Sequence, residues 1–240
     1  MKFARSPLDR GYANRILAID IGSRTIAAPI LDPQIRDFFI GGRALGLYLL
    51  HQQIAATTKA TDPENPLILT PGPLGGIPQF PGTSKCMAIS LSPLTGIPGV
   101  SNFGGHFGAY LKYAGFDALQ ITGKSARDTF IVINGLQGEV SFIDAPVIDE
   151  VFELEQEIVG RYLREGYEKK NIVLVSTGLG AGRTTFGCIN SHYFDATKPV
   201  NGSKGMYRTK QAGRTGLGSV MMDKKIRAVI VLAEFPKGEN

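Results

Sequence analysis

The sequence predicts an α+β fold: a β-rich single domain with mixed sheets and a few helices, spanning residues 1–240. Three observations predict it. Short apolar runs bounded by Gly, Pro, Asn or Asp recur about ten times along the chain. Only three or four segments carry a helical period, and they do not alternate strictly with the strands. No compositional break or linker divides the 240 residues, of which 43% are hydrophobic, enough to build one sizeable core.

RILAIDI and RTIAAPIL, separated by Gly22-Ser23, read as a hairpin. Asp32-Pro33 opens a helical stretch, IRDFF, which is interrupted at Gly41-Gly42 and resumes as RALGLYLLHQQI. The strand LILT ends at Pro71-Gly72-Pro73, and Gly and Pro dominate from Leu74 to Gly82, so a long shaped loop is expected there. CMAISLS is a strand, followed by a turn at Pro93–Gly96. SNFGGHFGAYLKYAG reads as a glycine-rich loop running into a short helix. DALQITG is a strand, as are TFIVING and GEVSFID, a pair joined near Leu136-Gln137. From Asp149 to Gly166 the apolar residues Val151, Leu154, Ile158 and Tyr162 share one helical face, with Asp149 placed to cap it and Gly166 to end it. NIVLVST and TTFGCINS read as strands around Gly178–Gly182, followed by a basic loop. A short helix near Gly218–Lys225 and the strand RAVIVLAEF complete the reading.

Composition excludes several classes. The apolar content and balanced charge exclude a disordered chain. No apolar run approaches the roughly 18 residues that cross a bilayer, and the charged MKFARSPLDR is no secretory leader, so a cytoplasmic protein without membrane association is expected. Cys86 and Cys188 are too far apart in sequence for a CxxC site. Glycine is the anomaly, at 30 residues of 240, and it falls in discrete patches. One patch overlaps a basic stretch. Lys198 to Arg227 holds eight Lys or Arg against the single acid Asp223, net +7, leaving −2 of the +5 total for the rest. Basic residues interleaved with glycine before a helix suit a phosphate, though a solvated loop has the same composition. Nucleic acid is disfavoured, because Tyr207 is the one aromatic in that stretch.

Other motifs fail on inspection. Gly123-Lys124-Ser125 mimics the end of a phosphate-binding P-loop, but Ala118 stands where its first glycine belongs. Gly178–Gly182 lacks the following helix that a dinucleotide fold requires. His51, His106 and His192 each lack ligand-type neighbours in sequence, and the sequon at Asn201 has no meaning in a reducing compartment. His106 lies in a glycine loop with room for a ligand, where a structural hydrogen bond is the simpler role.

Four strings, SPLTG (92–96), SNFGGHFG (101–108), LKYAGFDA (111–118) and AGRTGLGSVM (212–221), together with FIGGRALGLYLL (39–50), occur in order along the chain. Together they resemble the amino-terminal, pterin-binding domain of the tungsten-dependent aldehyde:ferredoxin oxidoreductases, over about residues 11–233. The resemblance implies a β-rich base for a bis-molybdopterin centre of tungsten or molybdenum, whose metal contacts the protein only through pterin sulfurs. It further implies a magnesium ion between the pterin phosphates, held by the backbone carbonyls of Asn102 and Gln211. Gly104 corresponds to the pterin loop, and Gly213 with Arg214 to the phosphate loop. Lys85 and Lys210 stand where the family often has arginine, keeping charge without the bidentate fork. The family's [4Fe–4S] cluster belongs to later domains, so it is expected from a missing domain or a partner chain, with ferredoxin reached indirectly. The resemblance thus implies the pterin-binding portion or subunit of an enzyme that oxidises aldehydes to carboxylates with ferredoxin as acceptor, inactive as an isolated chain. The alternative is a non-catalytic pterin carrier or a remnant that binds a partner.

Overall fold

Two six-stranded sheets face each other across a shared apolar core in the computed structural model, which describes residues 1–5, 7–77, 79–80, 82–198 and 205–234. The first sheet contains β1 (Ile16–Asp20), β2 (Thr25–Ala27), β3 (Leu67–Pro71), β4 (Cys86–Leu91), β5 (Pro98–Phe103) and β6 (Ala118–Thr122), in the order β2-β1-β6-β3-β4-β5. The second contains β7 (Thr129–Asn134), β8 (Glu139–Asp144), β9 (Ile172–Ser176), β10 (Ile189–Asp195), β11 (Met206–Ala212) and β12 (Ile226–Leu232), in the order β11-β10-β9-β12-β7-β8. Both sheets are mixed. β1 runs parallel to β6 and β12 parallel to β7, while the other pairings are antiparallel.

Five helices complete the layers: α1 (Pro33–Phe39), α2 (Gly42–Gln53), α3 (Phe107–Tyr113), α4 (Val151–Arg164) and α5 (Leu217–Asp223). α3 and α5 lie between the sheets, where Phe107, Leu111, Leu217 and Met221 join side chains from both. α2 covers the outer face of the first sheet through Leu45, Leu49 and Leu50. α4 covers that of the second through Leu154, Ile158 and Tyr162. Central strands are therefore buried on both faces, which is why LIL and IVLV run continuously apolar instead of alternating.

Most expected elements are present, and the exceptions have physical causes. The segment read as a glycine loop at 101–106 begins with the last three residues of β5, and the basic loop before the last helix contains β11. Both are edge strands. PGVSNF and MYRTKQA are too polar to read as strands, and they become strands by pairing with β4 over six residues and with β10 over seven. The strand read from Thr184 starts at Ile189, because the Gly187 backbone bonds to the start of α5 instead of to a strand: its N–H donates to Ser219 Oγ (3.0 Å) and its carbonyl accepts from Gly218 N–H (2.9 Å). The cap of α4 is Glu150 and not Asp149: its carboxylate accepts from the backbone N–H groups of Phe152 (2.7 Å) and Glu153 (2.9 Å). Asn201 and Lys204 lie outside the described residues.

Candidate functional site

The fold brings the two polar edge strands together. β5 ends the first sheet, β11 ends the second, and they pack against each other. The turn after β11 is locked onto the first sheet: Arg214 N–H donates to Ser101 Oγ (3.3 Å), and Ser92 Oγ donates to Thr215 O (2.7 Å). Ser92 in turn accepts from Leu94 and Thr95 N–H, so SPLTG and AGRTG, 120 residues apart, brace one another. Thr215 has φ +66°, an outlying conformation for a β-branched residue, and at Gly216 (φ +70°) a Cβ would lie 1.9 Å from Thr185 O. This turn is over-determined by its surroundings, as backbone at ligand clamps tends to be.

At the junction Gly104 separates two lysines. A Cβ on Gly104 would lie 3.7 Å from Lys210 Cγ and 3.9 Å from Lys85 Nζ. Lys85, Asn102, Lys210, Gln211, Gly213 and Arg214 are all exposed. No ion pair among the described residues involves Lys85, Lys210 or Arg214, so the two lysines flank Gly104 without a protein anion. Below the loop, Ser191 Oγ is buried without a hydrogen-bond partner, 3.0 Å from where a Cβ of Gly105 would sit. Glycine at 104 and 105 keeps the floor clear, and the space beside Gly213 is open. Two unpaired lysines about a glycine, beside open space at Gly213, fit a phosphate-bearing group. Among the described residues no group of three or more His, Cys, Asp or Glu could hold a metal.

A cleft of about 330 Å³ adjoins this surface, lined by Ile77, Phe80, Ser84, His106, Tyr110 and Tyr113 among others. His106 packs against Tyr193 with ring centroids 4.5 Å apart, and burial pushes its imidazole below the usual pKa, favouring the neutral ring. Its role is ring packing in place of the expected structural hydrogen bond. The floor is held by Lys112, whose ammonium donates to the carbonyls of Pro73 (2.5 Å), Gly75 (2.7 Å) and Gly72 (3.3 Å). Asp117, the acid of the same LKYAGFDA string, accepts from Ala13 N–H at 2.9 Å and anchors the start of the chain.

Sequence reasoning missed three features here. Lys112 and Asp117 are buried structural charges that no spacing marks as such. Ser191 carries no sequence signal. His192, solitary in sequence, meets Glu155 across 37 positions at 3.0 Å. The false P-loop is resolved as well, since Lys124 pairs with Asp223 at 2.8 Å.

The candidate site is thus a glycine-floored, lysine-lined junction at the edges of two facing sheets. The family model for the aldehyde ferredoxin oxidoreductase N-terminal domain matches residues 16–233, and the chain belongs to that family. It is 32% identical over 224 residues to a tungsten-containing aldehyde ferredoxin oxidoreductase of Pyrococcus horikoshii, covering 92% of this chain and 33% of that protein. An aliphatic sulfonate oxidoreductase, WOR-like subunit, of Pyrococcus furiosus is 27% identical, with 95% of this chain and 35% of that protein covered. Among solved structures, the active site complex BamBC of benzoyl coenzyme A reductase with 1,5-dienoyl-CoA superposes with a TM-score of 0.78. That match has 26% identity and covers 93% of this chain and 31% of the other. The chain thus spans about a third of the length of the curated relatives it matches.

Proposed function

We propose that this chain is the pterin-binding wall of a tungsten- or molybdenum-dependent oxidoreductase, one that converts aldehydes to carboxylates and passes electrons to ferredoxin. The observation that carries this reading is that Lys85 and Lys210 flank Gly104 and the Arg214 main chain docks on Ser101 where β5 meets β11, in a chain of this family. Lys85, Lys210 and Arg214 supply positive charge toward pterin phosphates. Asn102 and Gln211 offer backbone carbonyls to a magnesium ion, which prefers oxygen ligands. Gly104 and Gly213 let ligand and main chain approach closely. When bound, a bis-pterin metal centre supplies the two-electron oxidation of an aldehyde and water to a carboxylate. This chain's own part is to seat and orient the group and to shield one side of it from solvent. The [4Fe–4S] cluster, the acid–base residues and the facing half of the cleft belong to the remaining family length, in a continuation of this chain or in a partner chain. We assign the protein to the cytoplasm, with residues 1–240 forming one pterin-binding base domain and no nucleic-acid partner.

The test is anaerobic purification from the native host, with elemental analysis and pterin fluorescence. Tungsten or molybdenum with pterin, and iron in the same assembly, are the expected result. A preparation free of metal and pterin overturns the reading in favour of a remnant that binds a partner. Pterin without any cluster-bearing polypeptide favours a non-catalytic carrier.

A further inference from the structure

A buried polar cluster behind β11 bears on the same site from its opposite face. Glu155, in the second turn of α4, is fully buried. Its carboxylate reaches three neighbouring strands. Ser176 of β9 donates its hydroxyl to Oε1 (2.6 Å), and His192 Nδ1 of β10 lies 3.0 Å from Oε2. Thr209 Oγ1 of β11 donates to Oε2 (3.3 Å) and lies 2.9 Å from the same imidazole nitrogen. Tyr207, two residues before Thr209 on the same face of β11, stacks on the His192 ring at 5.1 Å, nearly parallel, and covers the cluster.

β11 needs such a tie. It is an edge strand with a single ladder partner, its sequence is polar, and it contributes little to the core. It also carries Lys210 and Gln211 immediately after Thr209. His192 pairs with Thr209 in the ladder, and Ser191 pairs with Lys210. Side chains alternate along a strand, so Thr209 is held from the α4 face while Lys210 projects toward Gly104 on the other.

We propose that Glu155, His192 and Thr209 are positioning residues that clamp β11 and so set where Lys210 and the Gln211 carbonyl stand at the cofactor surface. The link to cofactor binding rests on the function proposed above, whereas the clamp on the strand does not. The test uses Thr209→Val, Thr209→Ser and Glu155→Gln in the 240-residue chain. Two quantities are read: hydrogen exchange of the β11 amides bonded to β10, and calorimetric affinity for magnesium pyrophosphate.

Thr209→Val keeps the shape and loses the hydroxyl, and Glu155→Gln turns an N–H₂ toward a donor. Both are expected to speed exchange in β11 about tenfold while leaving β3 and α2 unchanged, and to weaken pyrophosphate in parallel. Thr209→Ser is expected to restore both, which a purely steric role for Thr209 would not produce. Unchanged β11 exchange in the two variants overturns the proposal, as does equal acceleration throughout the domain. Faster β11 exchange with undiminished pyrophosphate affinity overturns it too. A wild-type chain that ignores magnesium pyrophosphate counts against the cofactor reading, while the exchange result still decides the clamp.

Discussion

Lys112 is almost wholly buried, yet its ammonium is the hub of the Pro71–Gly76 loop that floors the cleft. Burial lowers its pKa to about 8, and the same cause lowers that of Lys224, bound to the carbonyls of Gly123 and Pro63, to about 8. A folded-state pKa below that of the unfolded chain means that between these values the unfolded state binds the extra proton. Stability is therefore expected to rise as pH increases from about 8 toward 10. Tyr113, Tyr162 and Tyr207 act oppositely: burial raises them to about 12, so stability falls as pH rises above 10, where the unfolded phenols ionise first. Urea midpoints measured from pH 7 to 11 should pass through a maximum near pH 10, and a flat or steadily falling profile contradicts these assignments. Lys112→Met keeps the apolar stem and strands three carbonyls, at an expected loss of about 1–3 kcal/mol together with part of the alkaline rise. At Gly105, φ is +94° and a Cβ would lie 2.7 Å from the Tyr193 ring. Gly105→Ala should cost about 1–3 kcal/mol in urea unfolding, and a neutral result would mean that the loop can move aside.

Elements in this protein are decided at their ends and edges. α4 has the most regular apolar face of the chain, and Leu154, Ile158 and Tyr162 bury it as its period dictates. Its start is set by Glu150, an uncommon cap, chosen because its longer side chain reaches back to two free N–H groups. Glu150→Ala is expected to destabilise by about 0.5–2 kcal/mol and Asp149→Ala to be nearly neutral in thermal melts. The reverse order would place the cap at Asp149. β5 and β11 show the other side of the same rule. Neither has a face apolar enough to identify it, and each exists because a well-specified neighbour offers unpaired backbone groups. Both therefore lie on the edges that carry the candidate site. Lys210, on β11 itself, also blunts that edge against pairing with other chains.

For the whole molecule, one apolar cluster runs from Leu17 and Leu69 of the first sheet, through Phe107 and Leu217 of the inner helices, to Val175 and Val229 of the second. Neither sheet can expose its inner face without the other losing its cover. Unfolding is thus expected as one cooperative transition, with far-ultraviolet and tyrosine near-ultraviolet dichroism coincident in denaturant. Separate midpoints would show two independently stable halves. No helix among the described residues is long and apolar enough to cross a membrane.

How much of this was legible beforehand follows from range. Hairpins, helix openings and helical faces are local: Gly22-Ser23, Asp32-Pro33 and the period of α4 act within a few residues, and the sequence alone determined them, though not which acid caps α4. It also determined the family, because four glycine-rich strings in fixed order are specific even when their geometry is unknown. The structure assembled those strings, setting Gly104 between Lys85 and Lys210 and the AGRTG turn against Ser92 and Ser101. Tertiary contact alone decided that polar segments become edge strands, that Lys112 and Asp117 are buried props, and that His192 has a carboxylate partner. Local patterns record short-range backbone preference and the burial of a face. Pairing at an edge, or a hydrogen bond between residues 37 positions apart, depends on neighbours that only the closed chain brings within reach.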